Sequence, residues 1–246
     1  MKLTDRVYLI GGAAYGLSAQ GDCNVYMVDC GDGLAVVDTG GGHGVPDMLR
    51  NMSRMGFDPG KVEVAFNTHC HYDHIGGNKL LKEATGCKIA AHQDDRWEIE
   101  NLGPVSLYNM ALDNGLSFEP TSVDISLAGD QDVEIGDVSF RILHTPGHTP
   151  GGVSFVVEEG DAVSLFPGDT ASALGRLGFI NGPGFVLPEW KRSIERMIVV
   201  KPDRMFPGHG VFVVSSALEQ LNLLDQNMNS PWVNIEVMQG YSYKKF

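Results

Sequence analysis

Basic residues and long apolar runs are both scarce in this chain of 246 residues. Eighteen lysines and arginines stand against 31 acidic residues, which gives a formal net charge of −13 at pH 7. No basic run is longer than a pair such as Lys244-Lys245, so the charge argues against a nucleic-acid backbone as the main partner. No apolar run approaches the length of a membrane span. We therefore expect a protein that binds neither nucleic acid nor membrane.

Cysteines are few, and together with the N-terminus they bear on the cellular compartment. None of the four has Cys-x-x-Cys spacing, so we expect small buried residues rather than a disulfide framework. The apolar stretch Val7–Ile10 is short and is followed by Gly11-Gly12, which favours a first β-strand over a signal peptide. We therefore expect a cytoplasmic protein. The four cysteines are Cys23, Cys30, Cys70 and Cys87.

The chain alternates short apolar strands with helical segments, and no linker is long enough to divide it, so we predict one domain over residues 1–246. Several strands form hairpins, which indicates mixed sheets covered by helices in a layered α/β protein. The main predicted strands are Val7–Ile10, Asn24–Asp29, Leu34–Asp38, Val62–Phe66, Val133–Ile135, Val138–Leu143, Val153–Val157 and Ala162–Phe166. The predicted helices are Val45–Met55, one after the strand at 62–66 to about Glu83, Pro188–Val199, and one capped by Ser216 and Glu219 through Leu224.

The sequence predicts two alternative roles for each of two segments. Residues 97–121 mix apolar and polar positions, which suits either a lid or a helical hairpin packed on the core. The C-terminal tail is aromatic, and we hypothesise that it docks on its own domain or on a second subunit of a homodimer. Its aromatic residues are Trp232, Tyr241, Tyr243 and Phe246.

A histidine-rich motif follows the strand at 62–66. His69 and His71 are two residues apart, so an extended backbone points both imidazoles to the same side, and Asp73 and His74 follow where a helix could begin. Imidazole suits zinc and other borderline divalent metals, and a carboxylate adds an anionic ligand. Such a set, without cysteine ligands, is typical of a site that keeps water on the metal.

Three later turns repeat one pattern, in which a strand ends in a Gly/Pro turn that presents one polar side chain. The turns carry His148, Asp169 and His209. Turns of this kind fix side chains at strand ends, where sites in layered α/β proteins gather. With the first motif they supply seven ligands, enough for two metal ions that share one carboxylate.

The His-x-His-x-Asp-His motif, followed in order by His148, Asp169 and His209, resembles the metallo-β-lactamase-fold hydrolase superfamily, most closely its glyoxalase II-like and lactonase-like branch. The resemblance implies a four-layer αββα sandwich of two mixed β-sheets flanked by helices, with metals at the edge between the sheets. It further implies that His69, His71 and His148 hold one metal. The same analogy assigns the other metal ion to Asp73, His74 and His209, with Asp169 as the bridging ligand. It implies that Asp38 stabilises the ligand loops without binding a metal itself.

Departures from particular members narrow the activity. Asp169 stands where well-known penicillin-hydrolysing members have a cysteine or no bridge, so β-lactam hydrolysis is not favoured. His71 stands where the diiron flavoprotein oxidases have glutamate, which argues against an oxidase of that kind. Gly175-Arg176 lies in a stretch similar to glyoxalase II-like thioesterases, although the basic glutathione-binding residues are not identifiable. Lactonases with the same ligands place a tyrosine three residues after the bridging aspartate, where this chain has Ser172.

Outside the ligands, four residues are candidate substrate contacts, namely Tyr15, His43, Ser172 and Arg176. His92 and His144 are not expected to be ligands. We interpret His92 as a packing or hydrogen-bonding residue, and His144 as buried or supporting the His148 turn.

The sequence predicts a binuclear metallohydrolase that cleaves a small carboxylic ester, thioester or lactone with a metal-bridging hydroxide. Asp73 is the candidate catalytic residue that exchanges a proton with the nucleophile and leaving group. Two zinc ions are expected, and iron or manganese would accept the same ligands. Three alternatives stay open: a mononuclear iron dioxygenase similar to persulfide dioxygenases, a non-catalytic sensor that keeps the site, and a phosphodiesterase.

Overall fold

A computed structural model describes residues 1–178 and 181–230, and their strands form two mixed sheets. The first sheet has six strands in sequence order, antiparallel from β1 to β3 and parallel from β3 to β6. They are β1 Val7–Gly11, β2 Val25–Asp29, β3 Leu34–Val37, β4 Val62–Phe66, β5 Lys88–His92 and β6 Ile125–Leu127.

The second sheet has five strands in the order β11-β10-β9-β8-β7, and only the β10–β11 pair is parallel. They are β7 Gln131–Ile135, β8 Val138–His144, β9 Val153–Glu159, β10 Ala162–Gly168 and β11 Arg204–Pro207. The two hairpins of this sheet and the β2–β3 hairpin lie where the sequence predicts them, because Gly-containing turns separate short apolar runs.

Helices lie between and after the strands. They are α1 Val45–Arg54, α2 Tyr72–Ile75, α3 Asn78–Thr85, α4 Gln93–Asn101, α5 Tyr108–Asp113, α6 Leu187–Val200 and α7 Ala217–Asn229. Helix α7 extends past the predicted end at Leu224. The predicted capping box at its start is wrong, because Ser216 has a left-handed backbone with φ 63° and its side chain makes no capping hydrogen bond.

The two sheets pack face to face around an apolar core, as strand β9 illustrates. Val153, Phe155 and Val157 point into this core, while Val156 points to the opposite face, as the two-residue period of a strand requires. Phe66 of the first sheet meets Phe155 with ring centroids 5.0 Å apart. Burying one such side chain contributes roughly 1.5–3 kcal/mol, so this inter-sheet layer supplies much of the hydrophobic stabilisation.

Helices cover both outer faces, which confirms the predicted αββα layering. Met48 and Met52 of α1 and Leu81 of α3 pack on the first sheet. Trp190 and Ile194 of α6, together with α7, pack on the outer face of the second sheet. The strand ends that carry the candidate ligands therefore meet at one edge of the sandwich.

Residues 97–121 include the end of α4, a short turn and α5. Ile99 of α4 and Ala111 of α5 are buried, so both helices pack on the rest of the domain. Trp97 and Met110 are exposed. The aromatic residues of the tail lie outside the described residues. Among the described helices, none is long and apolar enough to cross a membrane.

Candidate metal centre

The loop after β3 begins with Asp38, a residue in a strained conformation. Its φ of 61° is in the left-handed region that residues other than glycine seldom adopt. Its backbone N–H donates to the Phe66 carbonyl at 2.8 Å, and its carboxylate accepts the Thr68 N–H at 2.8 Å. These two hydrogen bonds stabilise the strained backbone conformation of Asp38. Strained conformations of this kind are common at functional sites.

The loop after β4 presents the first ligand candidates. His71 has an extended backbone with φ −65° and ψ 146°, and it precedes α2 directly, so Asp73 and His74 start on the first helical turn. Cys70 points away from the two flanking histidines. It is fully buried in a small apolar cluster with Ile75 and Ala91, which confirms its interpretation as a packing residue.

Three histidines converge at one end of the site. The Nε2 atom of His69 lies 3.1 Å from Nδ1 of His71, which lies 3.0 Å from Nε2 of His148. All three side chains are buried. Neighbouring nitrogens on a tetrahedral zinc with bonds of ~2.0–2.1 Å would be about 3.3–3.4 Å apart, close to the spacing here. This triangle can therefore hold one metal ion.

A second group lies beside the first. The Nε2 atom of His209 is 2.9 Å from Oδ2 of Asp73 and 3.4 Å from Nε2 of His74. The Asp169 carboxylate lies between the groups, with Oδ1 3.4 Å from Nε2 of His74 and Oδ2 3.7 Å from Nε2 of His148. The structure thus brings all seven predicted ligands into one site.

The chemistry of this donor set fits divalent cations. Oδ1 of Asp169 is buried and has no hydrogen-bond partner among residues 1–178 and 181–230, so it lacks the partner that a buried polar atom needs. Gly208 keeps the space beside it open, because a Cβ there would lie 2.4 Å from that oxygen. Convergent imidazole nitrogens and carboxylate oxygens are ligands for zinc, iron or manganese.

The ionisation of the three histidines in the first group agrees with this arrangement. Burial lowers the pKa of His69 and His148, and burial together with the neighbouring His148 lowers the pKa of His71 to about 3. These three imidazoles are therefore neutral at pH 7, the form that binds metal. For His209, the Asp169 carboxylate raises the pKa, so the second group attracts positive charge.

Asp38 supports one ligand of each group. Its Oδ2 accepts from Nδ1 of His74 at 2.8 Å. It also accepts the Thr68 hydroxyl at 2.9 Å, and that hydroxyl lies 3.0 Å from Nδ1 of His69. Both histidines are thereby fixed with Nε2 towards the centre, the orienting role that carboxylates behind metal ligands commonly have.

Asp95 joins two ligand loops and was not anticipated from the sequence. Its Oδ2 accepts the backbone N–H of Cys70 at 2.9 Å and the hydroxyl of Thr149 at 2.7 Å, while Oδ1 accepts the Gly151 N–H at 2.6 Å. The residue is 1% exposed. One carboxylate in α4 therefore sets the distance between the loop of His71 and the turn of His148.

The His209 turn is held from the opposite side. Asn24 donates from Nδ2 to the Pro207 carbonyl at 3.0 Å and to the Gly210 carbonyl at 3.1 Å. The hydroxyl of Tyr26 donates to the same Pro207 carbonyl at 2.8 Å. Tyr15, a predicted substrate contact, donates its hydroxyl to the Gly210 carbonyl at 3.1 Å. The structure thus places Tyr15 behind the turn of a ligand.

A cavity of about 420 Å³ opens on the centre and is bordered by Asp73, His148, Asp169 and His209. Ser172 and Arg176, two of the predicted substrate contacts, line its outer wall. His43 lines a different depression, which it shares with Tyr72. Among the four predicted contacts, the structure therefore brings Ser172 and Arg176 to the metal cavity.

His92 and His144 stack on each other outside the centre, with ring centroids 4.0 Å apart and planes at 11°. Nδ1 of His92 accepts the N–H of Asp94 at 3.3 Å and caps α4. This contact confirms that His92 has a packing and hydrogen-bonding role. His144 lies within 3.0 Å of the Pro150 carbonyl, next to the His148 turn.

Comparison with known proteins assigns this fold and site to a family. The model of the metallo-beta-lactamase superfamily matches residues 19–209, and the chain belongs to that superfamily. The structure is similar to a subclass B3 metallo-beta-lactamase of Bradyrhizobium japonicum, with a TM-score of 0.76 over 98% of this chain and 94% of that one. Their sequences are 22% identical, so this likeness concerns the fold.

Curated relatives include several metallohydrolases. The probable metallo-hydrolase YqgX of Bacillus subtilis is 27% identical over 86% of this chain and 92% of its own length. A hydroxyacylglutathione hydrolase of Methylococcus capsulatus is 36% identical over 53% of this chain. The beta-lactamase-like protein 2 homolog of Drosophila melanogaster is 28% identical over 85% of it. The chain spans 41% and 65% of the lengths of the latter two proteins.

Proposed function

We propose that this metallohydrolase cleaves a small carboxylic ester, thioester or lactone with two divalent metal ions, zinc in the first instance. The observation that carries the proposal is the position of Asp169. Its carboxylate lies between a three-histidine group and a second group of Asp73, His74 and His209. A carboxylate in this position can contact two adjacent metal ions, whereas one metal ion would leave part of this ligand set without a role.

Each group has a defined task under this proposal. His69, His71 and His148 would hold one ion, Asp73, His74 and His209 the other, and Asp169 would contact both. When bound, two divalent ions supply Lewis acidity for a carbonyl oxygen and lower the pKa of water towards neutrality. Asp38 and Asp95 keep the ligand loops in place, since their hydrogen bonds end on those loops.

Asp73 is the residue suited to move a proton. It borders the cavity and is 18% exposed at its side chain, so its carboxylate can reach a bound substrate. Burial opposes its ionisation, but His74 and His209 outweigh that effect and lower its pKa. An ionised carboxylate at this position can accept a proton from the nucleophile and return it to the leaving group.

The composition of the cavity supports a carboxylic substrate over a phosphodiester. Among the described residues that line it, Arg176 is the only lysine or arginine, and several others are apolar. Arginine and lysine are the side chains that commonly bind phosphate groups, and this cavity offers a single one. The hydroxyacylglutathione hydrolase of Methylococcus capsulatus, which is named for an acyl substrate, also supports this class.

Turnover by purified protein of known metal content tests the proposal. A panel of lactones, thioesters, simple esters, a β-lactam and a phosphodiester should show metal-dependent cleavage of one carboxylic class. Protein with two metals bound and no turnover of any carboxylic compound would contradict the proposal. Bound iron with oxygen consumption would favour the dioxygenase alternative instead.

A matched pair of variants tests the shared carboxylate. Asp169→Ala should lose metal and activity together, because it removes the group that lies between the two sets of ligands. Asp161→Ala alters an exposed aspartate in the β9–β10 turn and should change neither property. An Asp169→Ala protein that kept two metals and full activity would rule out the bridging role.

A further inference from the structure

Leu174 is an apolar side chain left in solvent at the mouth of the metal cavity. It lines that cavity and is 58% exposed. Val211, on the turn after His209, lines the cavity too and is 49% exposed. Exposed apolar side chains that line the same cavity are typical of ligand-binding grooves, since solvent contact alone does not favour them.

The backbone at Leu174 is strained as well. Its φ is 62° and its ψ is 24°, in the left-handed region, and Gly175 follows with φ 62°. A left-handed conformation is unfavourable for a leucine and free of steric cost for a glycine. Glycine would avoid this steric cost at position 174, so the backbone conformation does not itself account for the leucine side chain.

Helix α7 fixes this strained turn through two side chains. Gln220 accepts the Leu174 N–H with Oε1 at 2.8 Å, and Asn227 donates from Nδ2 to the Gly175 carbonyl at 2.9 Å. Ala173, on the other side of the turn, is buried against the α6 and α7 layer. The turn is therefore anchored at three successive residues, and Leu174 is held over the cavity.

We propose that Leu174 is a specificity-determining residue that contacts an apolar acyl chain of the substrate. This inference rests on the proposed function and narrows its substrate class to compounds with an aliphatic acyl chain of several carbons. With Val211 it forms an apolar wall outside the metal ligands. A chain laid against that wall would remove both side chains from water, and the gain should grow with chain length.

A chain-length series measures this effect. Acetyl, butyryl, hexanoyl and octanoyl thioesters of N-acetylcysteamine, with γ-lactones of matching alkyl length in parallel, would be assayed with metal-loaded protein. In the wild type, kcat/KM should rise about twofold to fourfold per methylene until the wall is covered. In Leu174→Ala, the octanoyl-to-acetyl ratio of kcat/KM should fall by at least about tenfold.

Two further variants separate specificity from folding. Leu80→Ala removes a leucine of similar exposure, 46%, on α3 away from the cavity, and should leave the ratio unchanged. Leu174→Gly relieves the backbone strain, so it should raise the melting temperature while it still lowers the ratio. A merely structural role for Leu174 would not produce this opposite pair of changes.

The outcomes distinguish this inference from the proposed function. If acyl compounds are hydrolysed but the ratio is the same in wild type, Leu174→Ala and Leu174→Gly, the role of Leu174 is wrong and the hydrolase assignment stands. If metal-loaded wild type hydrolyses none of the acyl compounds, this inference fails. The proposed function fails only if the simple esters of the earlier panel are not cleaved either.

Discussion

The Asp38 carboxylate accepts a hydrogen bond from Nδ1 of His74 at 2.8 Å while also binding the hydroxyl and N–H of Thr68. Thr68 in turn contacts His69, so Asp38 orients one histidine in each group of ligands. The strained φ of 61° at Asp38 places its carboxylate where it reaches both.

Replacing Asp38 by asparagine should weaken metal binding by about 10- to 100-fold. Asparagine has a similar size but only one acceptor oxygen, so its NH₂ group would face either His74 or Thr68. Competition with a chromophoric chelator measures the metal affinity. Asp58→Asn, in the turn before β4, keeps its acceptor for the Gly60 N–H and should bind metal as the wild type does. Equal affinities in all three proteins would exclude the orienting role.

The Asp95→Asn variant should also bind metal more weakly and turn over more slowly, because the distance between the loops of His71 and His148 would change. The carboxylate accepts three hydrogen bonds, and asparagine would turn one oxygen into a donor that faces another donor. A buried donor left without an acceptor costs about 1–3 kcal/mol, so the loops of His71 and His148 should separate. The metal stoichiometry after dialysis reports this change.

Its neighbour Asp94 supplies the control, because it lies on the same helical turn with a side chain that is 49% exposed. Asp94→Asn should keep the metal stoichiometry of the wild type. The role of Asp95 would be refuted if both variants retained the same metal content and turnover.

Asp38 and Asp95 show which residues of the site could be predicted from the sequence and which could not. The ligands could be predicted because each is next to a strand end or within a short motif, so local spacing carries the information. Asp38 was reached by family resemblance. Asp95 was missed because its three partners are 25, 54 and 56 residues away in the chain, and nothing in the sequence distinguishes it from Asp94.

The dependence on contacts between distant residues also explains the other differences between the sequence predictions and the structure. Mixed sheets covered by helices follow from hairpin turns and apolar periodicity, which are local signals, whereas the four-layer αββα order was reached by family resemblance. The capping box at Ser216 has the right residue spacing, but the Ser216 backbone is left-handed, and the N–H groups of Ala217 and Leu218 donate to the carbonyls of Asp203 and Pro202 instead. Tyr15 lies on the expected loop, yet the direction of its hydroxyl towards Gly210 depends on packing between distant turns.

Asp73→Asn should reduce kcat by about 10²- to 10⁴-fold, the usual contribution of a positioned acid or base. The amide keeps the size of the side chain but cannot take up a proton. Metal content has to be measured on the same samples, because Asp73 also contacts His209 at 2.9 Å. A variant with two metals and wild-type turnover would show that another group moves the proton.

Gly208→Ala should abolish metal binding at the shared carboxylate. The new Cβ would lie 2.4 Å from Oδ1 of Asp169 and 2.6 Å from Cε1 of His74, distances that require both side chains to move. At Gly178, also in the cavity wall, a Cβ would have ordinary contacts of 3.5 Å and 3.6 Å, so Gly178→Ala should keep its metal. Metal analysis of the two purified proteins tests this prediction. A Gly208→Ala protein with full metal content would contradict it.

His92 should make the stability of the fold depend on pH. Burial, with the stacked His144, lowers its pKa to about 4, whereas an unfolded histidine titrates near ~6.5. Between these values the unfolded chain binds the proton and the folded chain does not. The stabilising contribution is therefore complete above pH ~6.5 and is lost as the pH falls towards 4.

Urea unfolding of wild type and His92→Asn at pH 7, 6 and 5 measures this contribution. Asparagine can keep the cap of α4, since its Oδ1 can accept the Asp94 N–H, and it does not titrate. The wild-type free energy of unfolding should fall more steeply with acidification, by at most about 1.4 kcal/mol per pH unit for one proton. The metal ligands titrate in both proteins and cancel in the difference. Parallel curves for the two proteins would show that His92 has the same pKa in the folded and unfolded chains.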